Sequence, residues 1–213
     1  TSVSYRVLPK MTLNKLENID DISDDILARF NIKRLPDTIE MVKDNQAIPG
    51  EVGKTRRVTG LNTDDSGHVA NTASSNQRSH DVRNNKLKIL RDHMTEPELF
   101  GDDHGDLLIV AWGSQRGVLE ESVRKARERG LKVSGLHLKV VYPLPFNLDT
   151  LLKQFKSVIT AEVAYGSDFK LSPFTTLLRC ETLVDIKTGF NQATGRPLKP
   201  TQILEKIEAL CNV

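Results

Sequence analysis

The sequence predicts an α/β protein: a mostly parallel sheet flanked by helices, preceded by a long irregular arm with a β-hairpin. Two observations carry this. From residue 106 onward, short apolar runs alternate with charged segments of helical period, the pattern of strand–helix units feeding a parallel sheet. Before residue 106 there is little sustained apolar periodicity, and the chain is polar and irregular, with an acidic cluster (Asp20, Asp21, Asp24, Asp25) and the run Asn71 to Gln77. Such a stretch buries little area by itself and suits an extended arm that wraps another surface. The expected division is therefore an arm over 1–105 and an α/β domain over 106–213.

Three pieces of the arm read as ordered. Residues 22–30 make a short helix capped by Ser23 or Asp24, with Ile26, Leu27 and Phe30 on one face. Residues 57–69 make a hairpin whose turn is Asp64-Asp65-Ser66-Gly67. Residues 81–93 make a helix on Val82, Leu87 and Leu90. In the second half, Leu107 to Trp112 is a buried strand. Val118 to Arg129 is an amphipathic helix on Val118, Leu119, Val123 and Ala126, stopped by Gly130. Residues 131–142 form a long strand ended by Pro143 and Pro145. Residues 148–155 form a helix capped by Asn147, and residues 158–163 a third strand. A helix over 173–182, a fourth short strand over 183–186 and a terminal helix from Thr201 through Ile203, Ile207 and Leu210 complete the domain.

Composition narrows the function classes. The 213-residue chain is 38% hydrophobic and 27% charged, ordinary for a globular protein. A net charge of +2 with both signs interspersed argues against nucleic acid as the main partner. No apolar run approaches the roughly 18 residues of a membrane span, so no membrane partner is expected. Cys180 and Cys211 form no close C-x-x-C pair and read as buried thiols in a reducing cytosol, which places the protein in the cytoplasm. The chain opens Thr1-Ser2-Val3 without methionine, as a fragment or a processed chain would.

The stretch with most chemical promise is Trp112-Gly113-Ser114-Gln115-Arg116-Gly117, where the first strand passes into a helix. That is the carboxyl edge of the sheet, the usual ligand side, and the first helix amides favour anions. The run lacks G-x-G-x-x-G spacing and the P-loop Lys-Ser/Thr. Two readings stand: a tight turn with Ser114 as N-cap, or an anion site at Gly113 and Ser114. None of the five histidines (His68, His80, His93, His104, His137) makes a metal-binding pair, and no metal site is expected. His137 lies among leucines on a strand and reads as a satisfied core histidine. Glu162 ends the third strand at the same edge, where it would cap a neighbouring helix or meet a partner. No Ser-His-Asp constellation is legible, and no catalytic residue is assigned.

Taken together, these residues resemble the C-terminal part of the α subunit of 2-oxoacid:ferredoxin oxidoreductases, especially the 2-oxoglutarate type. Ser4 to Pro9 is similar to the segment leaving the family's pyrimidine-binding domain. Thr59-Gly60-Leu61, Asp64 and Gly67-His68 match T-G-L-x-x-D-x-x-G-H, and His80, Arg83 and Lys86-Leu87 match H-x-x-R-x-x-K-L. Leu107 to Gly117 resembles the family's strand–turn–helix around W-G-S. His137-Leu138 with Pro143-x-Pro145, and Gly195-x-Pro197 before the last helix, are similar to later family segments. Ala161 to Ser167 departs from P-E-x-N-x-G-Q, keeping Glu162 and Gly166 but not the two amide positions.

The resemblance implies a transketolase C-terminal-like domain that shapes the dimer and braces an active site held elsewhere. It implies thiamine diphosphate with Mg and a 4Fe-4S cluster in the assembled enzyme, none bound by this chain alone. Two cysteines cannot hold such a cluster. It implies as partners the upstream α-subunit domains and the β subunit, with coenzyme A and ferredoxin reaching the complex. Gly113 and Ser114 are then either interface architecture or part of a coenzyme A path. The alternative is a free-standing nucleotide-binding or regulatory α/β module, for which the long arm has no use.

Overall fold

The structure, a computed structural model, describes residues 52, 60–63, 68–167 and 169–211. The chain divides between Met94 and Thr95 into two units. The expected helix over 22–30 lies outside the described residues, as do Val58 and the turn at 64–67.

In the first unit an isolated antiparallel bridge pairs Thr63 with Val69, and the Ala70 amide donates to the Asn62 carbonyl at 3.0 Å. Helix α1 (Ala73–Asp92) follows. It begins well before Asp81, inside the polar run read as irregular, because Thr72 Oγ1 accepts the Ser75 amide at 3.2 Å and caps it. None of its residues is buried, so no apolar stripe announces its first half. Arg83 and Asn76 both bond the Asn62 side chain, which ties the helix to the bridged segment.

The second unit is a five-stranded sheet. Its strands are β1 (Glu98–Phe100), β2 (Gly105–Trp112), β3 (Val133–Leu138), β4 (Phe155–Glu162) and β5 (Gly189–Asn191), side by side in the order β1-β3-β2-β4-β5. β2 to β5 run parallel and β1 is antiparallel. Helices α2 (Arg116–Glu128), α3 (Leu148–Leu152), α4 (Pro173–Thr182) and α5 (Pro200–Cys211) cover both faces. Leu107, Ile109 and Ala111 of β2 pack with Leu119 and Val123 of α2 and with Ile203 and Ile207 of α5. Leu108 and Val110 point the other way, toward Leu148 and Leu152 of α3 and Phe174 and Leu178 of α4. A strand covered on both faces must be apolar at every position, which is why β2 reads as a continuous run. α2 approaches the sheet closely at Gly135. A Cβ there would lie 2.9 Å from Leu119 Cγ and Val123 Cγ2.

Several elements differ from the sequence expectations. β1 lies in the segment assigned to the arm, yet pairs with β3 from Glu98↔His137 to Phe100↔Gly135. It is only three residues long, too short for a periodicity signal. β3 spans Val133–Leu138 rather than 131–142. Its start is delayed because the Leu131 amide donates to Ala126 O at 3.2 Å and the Gly130 amide to Arg127 O at 2.9 Å, a Schellman closure of α2. β3 stops at Leu138, in register with the last residue of β2. α3 ends at Leu152, and Phe155 opens β4 opposite Gly105. Asn147 does not cap α3 through its side chain; it sits in the left-handed region at φ 58°. Residues 183–186 form no strand. Leu183 closes α4 at φ 56° and is 86% exposed, and the Ile186 amide turns back to Val184 O at 2.9 Å. That three-residue turn drops Ile186 into the core, and the edge strand comes later, as β5. Cys180 is exposed and Cys211 half-buried, so the thiols are not the buried pair expected.

Candidate functional site

The carboxyl ends of β2 and β4 lie side by side, and the chain leaves them in opposite directions. After β2 it enters α2 on one face, and after β4 it leads to α4 on the other. This is a topological switch point, where open α/β sheets take ligands.

On the β4 side the edge is closed from within. Glu162, the last residue of β4, is 1% exposed. Its Oε1 accepts the Phe174 amide at 3.1 Å, with Oε2 at 3.4 Å. Pro173 has no amide hydrogen, so Phe174 is the first donor of α4, and a carboxylate complements the positive helix end. The helix-capping role considered for Glu162 is the one it plays. Ser172 makes no side-chain cap. Its Oγ instead joins a buried hydroxyl chain, 2.7 Å from Thr175 Oγ1, which lies 2.5 Å from Thr160 Oγ1. Gly166, the other family match, leaves room for Asn191: a Cβ would meet Asn191 Nδ2 at 2.6 Å.

On the β2 side the edge is open. Gly113 to Gln115 form one 3-10 turn before α2, with Gly113 at φ 60°, a conformation glycine adopts without strain. Ser114 is not an N-cap. Its Oγ accepts from Gln115 Nε2 at 3.2 Å, and neither the turn nor α2 has a side-chain cap or an acidic residue in its first turn. The inserted 3-10 turn displaces Ser114 from the helix start by two positions, which is why it misses the cap. Added Cβ atoms at Gly113 and Gly117 would meet nothing within 4 Å.

Two side chains brace this turn. His137, 3% exposed, places Nε2 2.8 Å from the Gly113 carbonyl. The satisfied core histidine expected is satisfied at one nitrogen only, since Nδ1 is buried without a hydrogen-bond partner among the described residues. Burial holds the imidazole below its ordinary pKa, against the Gly113 bond and the Glu98 charge. Arg116 opens α2 and forms a bidentate pair with Glu98 of β1, Nε to Oε2 at 2.8 Å and Nη2 to Oε1. That pair holds the Glu98 carboxyl below its ordinary value. Arg116 also reaches Glu120 at 3.0 Å and lies 5.4 Å from the Phe100 ring centre. Aromatic rings rim the edge. Trp112 is 40% exposed and tilts against Phe174 at 6.2 Å, and Tyr165 beyond β4 is 62% exposed.

Sequence reasoning thus named Gly113, Ser114, His137 and Glu162, and the structure brings Gly113 and Ser114 together with His137. It missed Glu98, Arg116 and Asn191. The short run Glu98-Leu99-Phe100 followed by Gly101 was the available signal for Glu98; nothing local marks Asn191. Among the described residues no group of three or more His, Cys, Asp or Glu side chains is arranged to hold a metal ion. No helix among them is long and apolar enough to cross a membrane.

An α/β layer domain with a switch-point edge is the class the fold defines. Comparison with known proteins gives the family. Residues 105–202 match the pyruvate:ferredoxin oxidoreductase core domain II. The chain is 33% identical over 147 residues to the 2-oxoglutarate oxidoreductase subunit KorA of Mycobacterium tuberculosis, covering 67% of this chain and 21% of the relative. It is 23% identical to the α subunit of a 2-oxoacid:ferredoxin oxidoreductase of Aeropyrum pernix, covering 80% of this chain and 27% of that one. The structure of the 2-oxoglutarate:ferredoxin oxidoreductase of Magnetococcus marinus, with 2-oxoglutarate, coenzyme A and succinyl-CoA bound, superposes at a TM-score of 0.60 with 26% identity. It covers 78% of this chain and 28% of that chain. The chain belongs to the family of 2-oxoacid:ferredoxin oxidoreductase α subunits, and it spans about a fifth to a quarter of the length of these relatives.

Proposed function

We propose that this chain is the structural and interface portion of the α subunit of a cytoplasmic, thiamine diphosphate-dependent 2-oxoglutarate:ferredoxin oxidoreductase. The assembled enzyme decarboxylates the oxoacid, forms an acyl-CoA and passes electrons to ferredoxin. The observation that carries the substrate is the 33% identity to the Mycobacterium tuberculosis 2-oxoglutarate enzyme across two thirds of the chain. The Magnetococcus marinus structure, which holds 2-oxoglutarate and coenzyme A, supports the same choice.

The described residues do not fit the reaction's metal centres. A 4Fe-4S cluster needs four thiolates, and the chain has two cysteines, one of them exposed. No acidic or histidine cluster among the described residues suits Mg. These groups, and thiamine diphosphate with them, are assigned to the other α-subunit domains and the β subunit. Residues before the α/β unit serve as an arm over those neighbours.

Coenzyme A is a different case. The Gly113–Gln115 turn leads into a helix start with no side-chain cap and no acidic residue in its first turn, a setting that favours phosphate. This supports our reading of Gly113 and Ser114 as mainly architectural residues at the edge of a coenzyme A path.

Dye-linked oxidation tests the reading. With thiamine diphosphate, magnesium and coenzyme A, the chain alone should give no turnover. The chain as part of its full α subunit with the β subunit should reduce a viologen dye faster with 2-oxoglutarate than with pyruvate. Turnover by the chain alone, or a preference for pyruvate, contradicts it.

A further inference from the structure

The contact between His137 and the edge turn allows its proton to be assigned. A carbonyl oxygen only accepts, so the 2.8 Å approach to Gly113 O puts the proton on Nε2, and the neutral ring leaves Nδ1 bare. Nδ1 is buried and, among the described residues, has no hydrogen-bond partner. The Nε2–H bond to Gly113 survives protonation; what protonation changes is Nδ1. A second proton would put a buried N–H on Nδ1 with nothing to accept it.

The charged groups around the ring are few. β1 contributes Glu98, the register partner of His137. Antiparallel partners share a face, with Cβ atoms about 4.5–5.5 Å apart. α2 contributes Arg116, which holds Glu98 and Glu120. Lys139 follows β3 and adds a second positive charge nearby. β2 presents Ala111 in register, and the turn presents Ser114 and Gln115, none of them titratable. Among the described residues, Glu98 is the carboxylate that acts on the ring.

We propose that His137, neutral with its proton on Nε2, is a positioning residue that sets the shape of the Gly113–Gln115 turn, and that a second proton draws it toward Glu98 and frees Arg116. In the neutral form the Nε2–H bond fixes the direction of the Gly113 carbonyl. Gly113 is the first residue of the turn, so that direction sets the orientation of the amides that follow. In the protonated form Nδ1 takes one proton from solvent and needs an acceptor. Glu98 can supply it by swinging off the Arg116 guanidinium. Arg116 is the first residue of α2, so its release loosens the start of the helix. The edge turn is then coupled to pH through three side chains from three elements: β1, β3 and α2. The device does not depend on coenzyme A passing this edge, so the failure of either idea leaves the other standing.

Nitrogen-15 spectra of the 213-residue chain test this directly. At neutral pH His137 should show a protonated Nε2 and a bare Nδ1. On acidification its ring should titrate below the ordinary histidine value, and the Ser114, Gln115 and Arg116 amides should move with the same midpoint. Glu98→Gln should lower that midpoint further, because the protonated ring loses the negative charge that favours it. His137→Gln keeps a donor near the Nε2 position and should leave the three amides close to their wild-type shifts, whereas His137→Leu should displace them. A proton on Nδ1, or turn amides that ignore the His137 titration, overturns the positioning role. An unchanged midpoint in Glu98→Gln overturns the role of Glu98. The wild-type and Glu98→Gln spectra decide the matter even where His137→Leu fails to fold.

Discussion

Two helices begin at the carboxyl edge of the sheet, and they are anchored by opposite means. At α4 the sheet sends a buried carboxylate into the helix start: Glu162 accepts the Phe174 amide, and a chain of hydroxyls closes the space beneath. At α2 no carboxylate among the described residues caps the helix amides. The start is held from behind, by His137 on the Gly113 carbonyl and by the Arg116–Glu98 pair at the rim. The first arrangement consumes the anion-attracting end of its helix. The second leaves that end free. One edge can thus be rigid on one side and receptive on the other, with the division set by which strand ends in a carboxylate.

The sharpest way to break this contrast is to remove the internal cap. Glu162→Ala leaves the Phe174 amide buried without an acceptor and should lower stability by about 2–3 kcal/mol in chemical denaturation. Glu162→Gln keeps an acceptor and should lose less than half of that. Equal losses would show that the charge, and not the hydrogen bond, holds α4.

The α2 side should respond less. Gly135→Ala puts a Cβ against Leu119 and Val123, and separating α2 from the sheet should cost about 1–2 kcal/mol. Gly113→Ala meets no neighbour, so only its left-handed backbone resists, at about 1 kcal/mol. Because Ser114 caps nothing, Ser114→Ala should stay within about 0.5 kcal/mol of wild type in thermal melts. A rise in the coenzyme A Michaelis constant of the whole enzyme without a change in melting would assign Ser114 to the coenzyme path.

Acid sharpens the contrast further. The Glu98 carboxyl is held below its ordinary value by Arg116, so its contribution is present above the unfolded value and is lost as pH falls through the folded one. The neutral burial of His137 acts with the same sign over a higher window, below the ordinary histidine value, because the unfolded ring binds a proton that the folded ring resists. Acid should therefore loosen the α2 side first. Amide chemical shifts followed from pH 7 downward should move at residues 113–117 before they move at 174–177.

Much of this edge was legible in the sequence where local chemistry fixes the outcome. β2 announces itself because both faces are covered, and α4 is recovered from Pro173 to Thr182 because Pro173 can open a helix and apolar spacing sustains it. Glu162 was visible as a lone carboxylate at a strand end. What escaped notice depends on pairing between distant residues. β1 is three residues long and exists because β3 offers it a partner. The failure of residues 183–186 as a strand is a turn that drops Ile186 into the core, which periodicity cannot distinguish from extension. The shift of Ser114 out of the cap position comes from a single 3-10 turn. The Arg116–Glu98 pair joins positions eighteen residues apart and leaves no local pattern.

Native-state hydrogen exchange comparing the Phe174 amide with the amides of Ser114 and Gly117 tests the two-sided edge most directly. Phe174 has no intrahelical partner and owes its protection to Glu162, so it should exchange as slowly as the β2 core amides near Ile109. In Glu162→Ala it should become fast, while Ser114 and Gly117 exchange rapidly in both proteins. Slow exchange at Ser114 and Gly117 in the wild type, or an unprotected Phe174, would contradict an edge closed at α4 and open at α2.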